Sequence, residues 1–319
     1  MFNIEKEIVK KSSSWIKIKL LSIQDNNVRR GQMRRNAFIL MLLLLLGLLI
    51  TPMISFAGDE ISCTRGGLKR AVNLYITAQT KGDISGLPLA KGVSYMENIK
   101  PADIKKGIIN TPMNIDHHRS LFDTDSCQTF TEVIVTNKEK PYVLGTSMRV
   151  NHDKIAEMDI LWTTKGYWLF NADNYLKYSS AEDWGPVPEE KRSSRGALVA
   201  AANAYLDAFL EGKIDLVPWG FPCVRTEGGA YTGKGSPDDS CEVGVPSGVN
   251  IVNRRFIVDD ITGSVQVFCN FGAGTPEGGS GAADSHLFRV ENGKLRYVHT
   301  LTHLLMSDFK GNTKILPKQ

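Results

Sequence analysis

Apolar residues recur at helical spacing in two widely separated stretches. In the later one, Leu198, Ala201, Ala202, Tyr205, Ala208 and Phe209 fall on one face, and Gly212 supplies a stop signal. The earlier one, around Ala71, Tyr75 and Ala78 with Gly82 behind it, repeats the pattern. After each helix comes a short Ile/Leu/Pro segment, then a strand carrying a glutamate, Glu97 or Glu227. Runs rich in Thr, Val, Ile and aromatics follow. They predict strands over Thr129–Thr136, Tyr142–Val150 and Ile155–Thr163 in the first half. The second half predicts Asn250–Val258, Ser264–Phe271, His286–Val290 and Leu295–Thr302.

Laid on itself at an offset of 130, the chain matches at eleven positions in a window of 33 residues, without a gap. Arg65, Gly66, Leu68, Ala71, Asn73 and Tyr75 fall on Arg195, Gly196, Leu198, Ala201, Asn203 and Tyr205. Ala78, Gly82, Ile84, Pro88 and Glu97 fall on Ala208, Gly212, Ile214, Pro218 and Glu227. Asp125-Ser126-Cys127 recurs as Asp239-Ser240-Cys241 at an offset of 114, so loop lengths differ between the copies. The expected organisation is an N-terminal extension with signal peptide over 1–57 and a first module over 58–177. A proline-rich, charged linker over 178–194 leads to a second module over 195–319.

A helix followed by strands predicts an α+β class. Two tandem cone-shaped modules are expected, each a helix packed on a curved antiparallel sheet. This element order resembles the nuclear transport factor 2-like, or SnoaL-like, fold. Longer strings resemble a family of secreted fungal and bacterial proteins without an assigned activity. They include Asp116-His117-His118-Arg119-Ser120, Trp168-Leu169-Phe170-Asn171-Ala172 and Val217-Pro218-Trp219-Gly220. Glu227-Gly228-Gly229-Ala230-Tyr231-Thr232 and Leu295-Arg296-Tyr297-Val298-His299-Thr300 belong with them. The resemblance implies export and tandem modules, and no particular reaction.

Charge changes the picture only at the N-terminus. Residues 1–57 hold nine Lys/Arg against three Asp/Glu, which leaves 29 against 31 in the remainder. The net charge of +4 therefore belongs to the targeting segment, and a nucleic-acid partner is not expected. Arg34 and Arg35 precede an apolar run over Ala37–Ile50, and Ser55-Phe56-Ala57 ends in small residues. Signal-peptide cleavage is expected after Ala57, into a secreted or periplasmic location. A membrane association is expected only if that segment stays uncleaved. In an oxidising compartment five cysteines suggest two disulfides and one free thiol. The preferred pairing is Cys63–Cys127 and Cys223–Cys241, with Cys269 buried and free.

Candidate chemistry falls in three groups. Asp116-His117-His118-Arg119 offers a base beside a carboxylate, with His118 the favoured base and Arg119 a ligand contact. Glu97 and Glu227 are either proton-transfer groups or braces of their own modules. The second module gathers Trp219, Arg225, Tyr231, Arg254, Arg255, His286, Arg289, Tyr297 and His299, a set suited to a polar or carboxylated ligand. His118 or His299 is expected as base, Glu227 as partner acid, and Arg225 or Arg255 as the anion holder. The glycine-rich Gly272–Gly281 lacks the Gly-Lys-Ser/Thr ending of a phosphate loop. No cofactor and no metal are expected: His286, His299 and His303 could be proposed as metal ligands, but no pattern of residues that would orient them supports it.

The expected function is cofactor-free dehydration, isomerisation or lyase chemistry on a small polar ligand. Scytalone dehydratase and ketosteroid isomerase show the cone fold doing such work. The alternative is a small-molecule-binding or structural protein.

Overall fold

Helix α1 spans Arg65–Lys81. Thr64 caps it by accepting from the Gly67 N–H at 3.1 Å, and Gly82 ends it with φ 64°, a left-handed geometry that glycine adopts without strain. Its counterpart is the helix Arg195–Glu211, capped by Ser194 and ended by Gly212 at φ 65°. Between them lies a short helix, Ala172–Ser179. In chain order these are α1, α2 (Ala172–Ser179) and α3 (Arg195–Glu211). The computed structural model describes residues 60–308 except Pro246 and 274–280. The targeting segment and most of the glycine-rich loop lie outside the described residues. Among the described residues no helix is long and apolar enough to cross a membrane.

Each copy then builds a six-stranded sheet. The first contains β1 (Leu89–Glu97), β2 (Lys100–Pro101), β3 (His117–Asp123), β4 (Gln128–Val135), β5 (Tyr142–Asn151) and β6 (Lys154–Thr163), in the order β2-β1-β6-β5-β4-β3. The second contains β7 (Trp219–Glu227), β8 (Ala230–Tyr231), β9 (Ile251–Asp259), β10 (Ser264–Phe271), β11 (Ala282–Glu291) and β12 (Lys294–His303), in the order β8-β7-β12-β11-β10-β9. The two orders are the same, so the duplication read from the helices extends through both sheets. One pair in each sheet, β1 with β6 and β7 with β12, is parallel, where a wholly antiparallel sheet was expected. The helix-to-strand connection after each opening helix returns the chain alongside the last strand, which fixes that direction. Both expected disulfides are present, Cys63–Cys127 and Cys223–Cys241, and Cys269 is a buried free thiol.

Among the described residues, three apolar cores hold the structure. Leu68, Ala71 and Tyr75 of α1 pack on Val133, Leu144, Met148 and Ile160 of the first sheet. Leu198, Tyr205 and Phe209 of α3 pack on Val265, Val267, Phe288 and Val298 of the second. The third core lies between the modules, where Leu121, Phe130, Ile134, Val143 and Leu161 meet Ile257, Phe268, Leu287 and Leu301. Phe130 and Phe268 meet edge to face at 5.9 Å. The central strands are therefore covered on both faces, which is why β4 and β10 are buried almost throughout.

A reciprocal clasp closes this interface. Arg65, at the start of α1, donates twice to Asp259 at the end of β9, at 2.8 and 3.0 Å. Arg195, at the start of α3, donates twice to Asp123 at the end of β3, both at 2.8 Å. Each aspartate also accepts from the other module's backbone, Asp259 from Phe122 and Asp123 from Val258. The arginines that open both copies of the repeat are thus kept by one job done twice. Arg65→Ala and Arg195→Ala are each expected to cost about 2 kcal/mol, since a charged bidentate pair is lost over a buried carboxylate. Urea unfolding of the two variants checks both the size and the near-equality.

Candidate functional site

The shared registers allow the two cones to be compared position by position. Arg119 pairs with Glu132 across β3 and β4 as Arg255 pairs with Phe268 across β9 and β10. Ser147 pairs with Asp159 across β5 and β6 as Leu287 pairs with His299 across β11 and β12. On the helix-facing side, the same correspondence sets Val133, Leu144 and Thr146 of the first cone against Cys269, Asp284 and His286 of the second. The first cone closes with apolar groups, and Tyr75 on its helix hydrogen-bonds Thr146 at 2.7 Å. In the second cone the equivalent tyrosine, Tyr205, lies beside His286 with ring centroids 5.8 Å apart.

The second cone therefore carries a polar cluster in an apolar setting. His286 Nδ1 lies 2.9 Å from Asp284 Oδ2, and both side chains are almost wholly buried. Thr302 donates to the other oxygen, Asp284 Oδ1, at 2.8 Å. Cys269 Sγ sits 3.7 Å from Asp284 Oδ2 and 3.9 Å from His286 Nδ1. Burial and the Asp284 charge push the Cys269 thiol well above its ordinary pKa, so it is a neutral thiol. The three donor atoms lie within 4.8 Å of one another, close enough for one cation. Phe209 and Phe288 pack around the imidazole, and Thr300 presents a buried hydroxyl with no hydrogen-bond partner.

His299 stands elsewhere. It faces the other module, because alternation along β12 puts Thr300 and Thr302 toward the cone and His299 away from it. Nδ1 donates to Glu132 Oε1 of β4 at 3.0 Å, and Nε2 donates to Glu182 Oε2 of the linker at 2.7 Å. Burial disfavours the charge on His299, but Glu182 and Glu132 outweigh it and raise its pKa to about 9. For Glu132, burial raises the pKa, but His299 and Arg119 bring it down to about 2. Arg119 donates to Glu132 at 3.1 Å and to the Ser179 carbonyl at 2.7 Å, and Tyr175 donates to Glu132 at 2.7 Å. Trp184 lies 4.5 Å over the Arg119 guanidinium and stacks on Tyr297 at 5.6 Å. The structure thus makes His299 a buried cation between two anions, where a neutral base was expected.

A pH dependence follows. His299 has a raised pKa in the fold, so its contribution is complete below about pH 6.5 and is lost as pH climbs through about 9. Glu132 has a lowered one, so its contribution is present above about pH 4.5 and is lost as pH falls toward about 2. Calorimetry across pH 3–10 is expected to find the highest melting temperature between about pH 4.5 and 6.5.

The other expected residues disperse. His118 is exposed on edge strand β3 and has no polar partner among the described residues. The part of its ring that packs against the sheet is enough to lower its pKa. Arg225 is buried and spent on the Cys241 and Val243 carbonyls at 3.0 and 2.6 Å, with Glu227 at 3.3 Å. It clamps the disulfide loop instead of facing outward. Glu227 accepts from Trp168 Nε1 at 2.7 Å, and Glu97 accepts from the Tyr95 hydroxyl at 2.5 Å. Both glutamates are braced within the fold. Trp219 donates to the Ile214 carbonyl at 2.9 Å, and Tyr231 stacks on Tyr178 of α2 at 3.8 Å. Arg289 holds the linker through the Gly185 carbonyl at 2.7 Å. Arg255 reaches Asp159 of the other module at 2.5 Å.

The linker is more than a spacer. Its first two residues, Tyr178 and Ser179, end α2, and Glu182 and Trp184 are inserted into the interface as part of its polar network. Asp284, Glu132, Glu182, Asp159 and Tyr175 were not among the expected site residues. The first of these had a signal, an Asp two residues before a His, which places both on one face of a strand.

Residues 191–302, the second module, match the family model described as Domain of unknown function (DUF8021). Among solved structures, an NTF-2 like protein of unknown function from Burkholderia xenovorans LB400 is similar at 12% identity, over 39% of this chain and 95% of its own, with a TM-score of 0.25. A provisionally assigned polyketide cyclase from Silicibacter sp. TM1040 is similar at 12% identity, over 35% of this chain and 91% of its own, with a TM-score of 0.22. No curated protein matches the chain.

Proposed function

We propose that this is an exported protein whose second cone binds a small polar molecule and moves a proton on it without a cofactor. The observation that carries the reading is the difference between the two cones. Asp284 and His286 stand in the second where Leu144 and Thr146 stand in the first. A buried histidine held by a carboxylate is a general-base arrangement, since Asp284 commits Nδ1 and leaves Nε2 for the ligand. Tyr205 and the unpartnered Thr300 hydroxyl supply hydrogen bonds beside it. The first cone is a structural partner that completes the interface. Two disulfides fit an oxidising, extracytoplasmic compartment, and the targeting segment read over 1–57 supports export.

The test is exchange. The purified chain is incubated in D2O with a panel of small ketones and hydroxy-carboxylates, and deuterium incorporation at carbon is followed by NMR. Exchange that is present in the native chain and lost in His286→Leu supports the reading. If no member of the panel exchanges, or His286→Leu exchanges as well as the native chain, the reading fails.

A further inference from the structure

The pseudo-symmetry of the interface creates two related polar sites, and the linker fills one of them. In the filled site, Arg119 and His299 receive the Trp184 indole and the Glu182 carboxylate. The corresponding site is formed by Arg255 in the place of Arg119, Phe268 in the place of Glu132, and Asp159 in the place of His299. Here the interface opens into a cleft of about 220 Å³, lined by both modules. Arg255 lies 5.4 Å over the Phe268 ring and keeps a side chain 44% exposed, where the equivalent Arg119 is 9% exposed. Asp159 is 3% exposed, gives one oxygen to Arg255, and has Oδ1 without a partner. A buried carboxylate oxygen left unsatisfied is costly, and a donor from a ligand would relieve it. Burial raises the Asp159 pKa against the pull of Arg255, as a partly satisfied carboxylate should show.

The exchange of His299 for Asp159 inverts what the site asks of its occupant. The filled site takes a carboxylate at the histidine; the open one takes a cationic N–H at the aspartate. The half-exposed Arg255 guanidinium, backed by the buried Phe268 ring, offers a stacking surface like the one Trp184 covers on Arg119 in the other site. Arg149 lines the same cleft and is 41% exposed, with Glu157 beside it at 3.0 Å. The four charges of the cleft sum to zero, which favours a molecule carrying both signs. The volume admits one small molecule. We propose that the cleft at Asp159 and Arg255 binds an aromatic amino acid, with its ammonium on Asp159, its ring on the Arg255 guanidinium, and its carboxylate toward Arg149.

Isothermal titration of the purified chain with L-tryptophan tests this. Saturable binding is expected. It should weaken at least tenfold in Asp159→Asn, and equally in Ser94→Trp, which plugs the cleft from an exposed position outside the polar network. Indole-3-propionate, which lacks the ammonium, should bind at least tenfold more weakly than L-tryptophan. His286→Leu should leave the titration unchanged, which separates this site from the second cone. No saturable binding to the native chain, or undiminished binding in both Asp159→Asn and Ser94→Trp, overturns the proposal.

Discussion

Glu132→Ala is expected to lower stability by about 3–5 kcal/mol, more than any surface substitution in the chain. Glu132 is fully buried and is the anion on which four groups converge: His299 at 3.0 Å, Arg119 at 3.1 Å, Tyr175 at 2.7 Å and the Ser179 hydroxyl at 3.4 Å. Removing it leaves two cations facing each other across a cavity, with only Glu182 to balance them. Loss of one partner from a buried network costs far more than the net worth of the network, because the remaining charges stay desolvated. At this size each kcal/mol lowers the melting temperature by roughly 2–4 °C, so a fall of about 6–20 °C is expected. Glu132→Gln should fall in between, since the amide oxygen still accepts from Tyr175 while the charge is lost. Scanning calorimetry, with Glu139→Ala as an exposed control, measures both.

The other large effect concerns chemistry and not stability. Replacing Asp284 by Leu and His286 by Thr makes the second cone resemble the first at those positions. The first cone folds with those residues, Leu144 and Thr146, so folding is expected to survive. Loss of a positioned general base costs about 100- to 10,000-fold in rate, so exchange activity should fall by that order. Circular dichroism and the thermal midpoint report on folding, and the D2O exchange rate reports on chemistry. A variant that folds and still exchanges at the native rate would move the chemistry out of the second cone.

Much of the fold was legible because it is local. Helix stops at Gly82 and Gly212, strand runs, and the repeat each depend on spacing along the chain. The preferred cysteine pairing was an inference from the modules, and the structure has it. The site was less legible for two physical reasons. The sheets pack back to back, so central strands are buried on both faces, and alternation no longer says which face a residue takes. Glu132 sits in such a run, Gln128–Val135, among residues that are all buried. The other reason is a boundary. The expected strand began at His286, whereas β11 begins at Ala282. That left Asp284 in a loop and hid its pairing with His286. His299 is conspicuous in the sequence, but its meaning depends on Glu132, 167 residues away, and on Glu182 in the linker. The repeated arginines, matched first as marks of duplication, proved to be the clasp between the copies.

The most direct test of the second cone as the working one is chemical-shift mapping with a ligand found in the exchange screen. On isotope-labelled protein, perturbations are expected at Tyr205, Val267, His286 and Phe288, with Tyr75, Val133 and Met148 of the first cone unmoved. Shifts confined to the first cone, or confined to the exposed face around His118, would contradict the account.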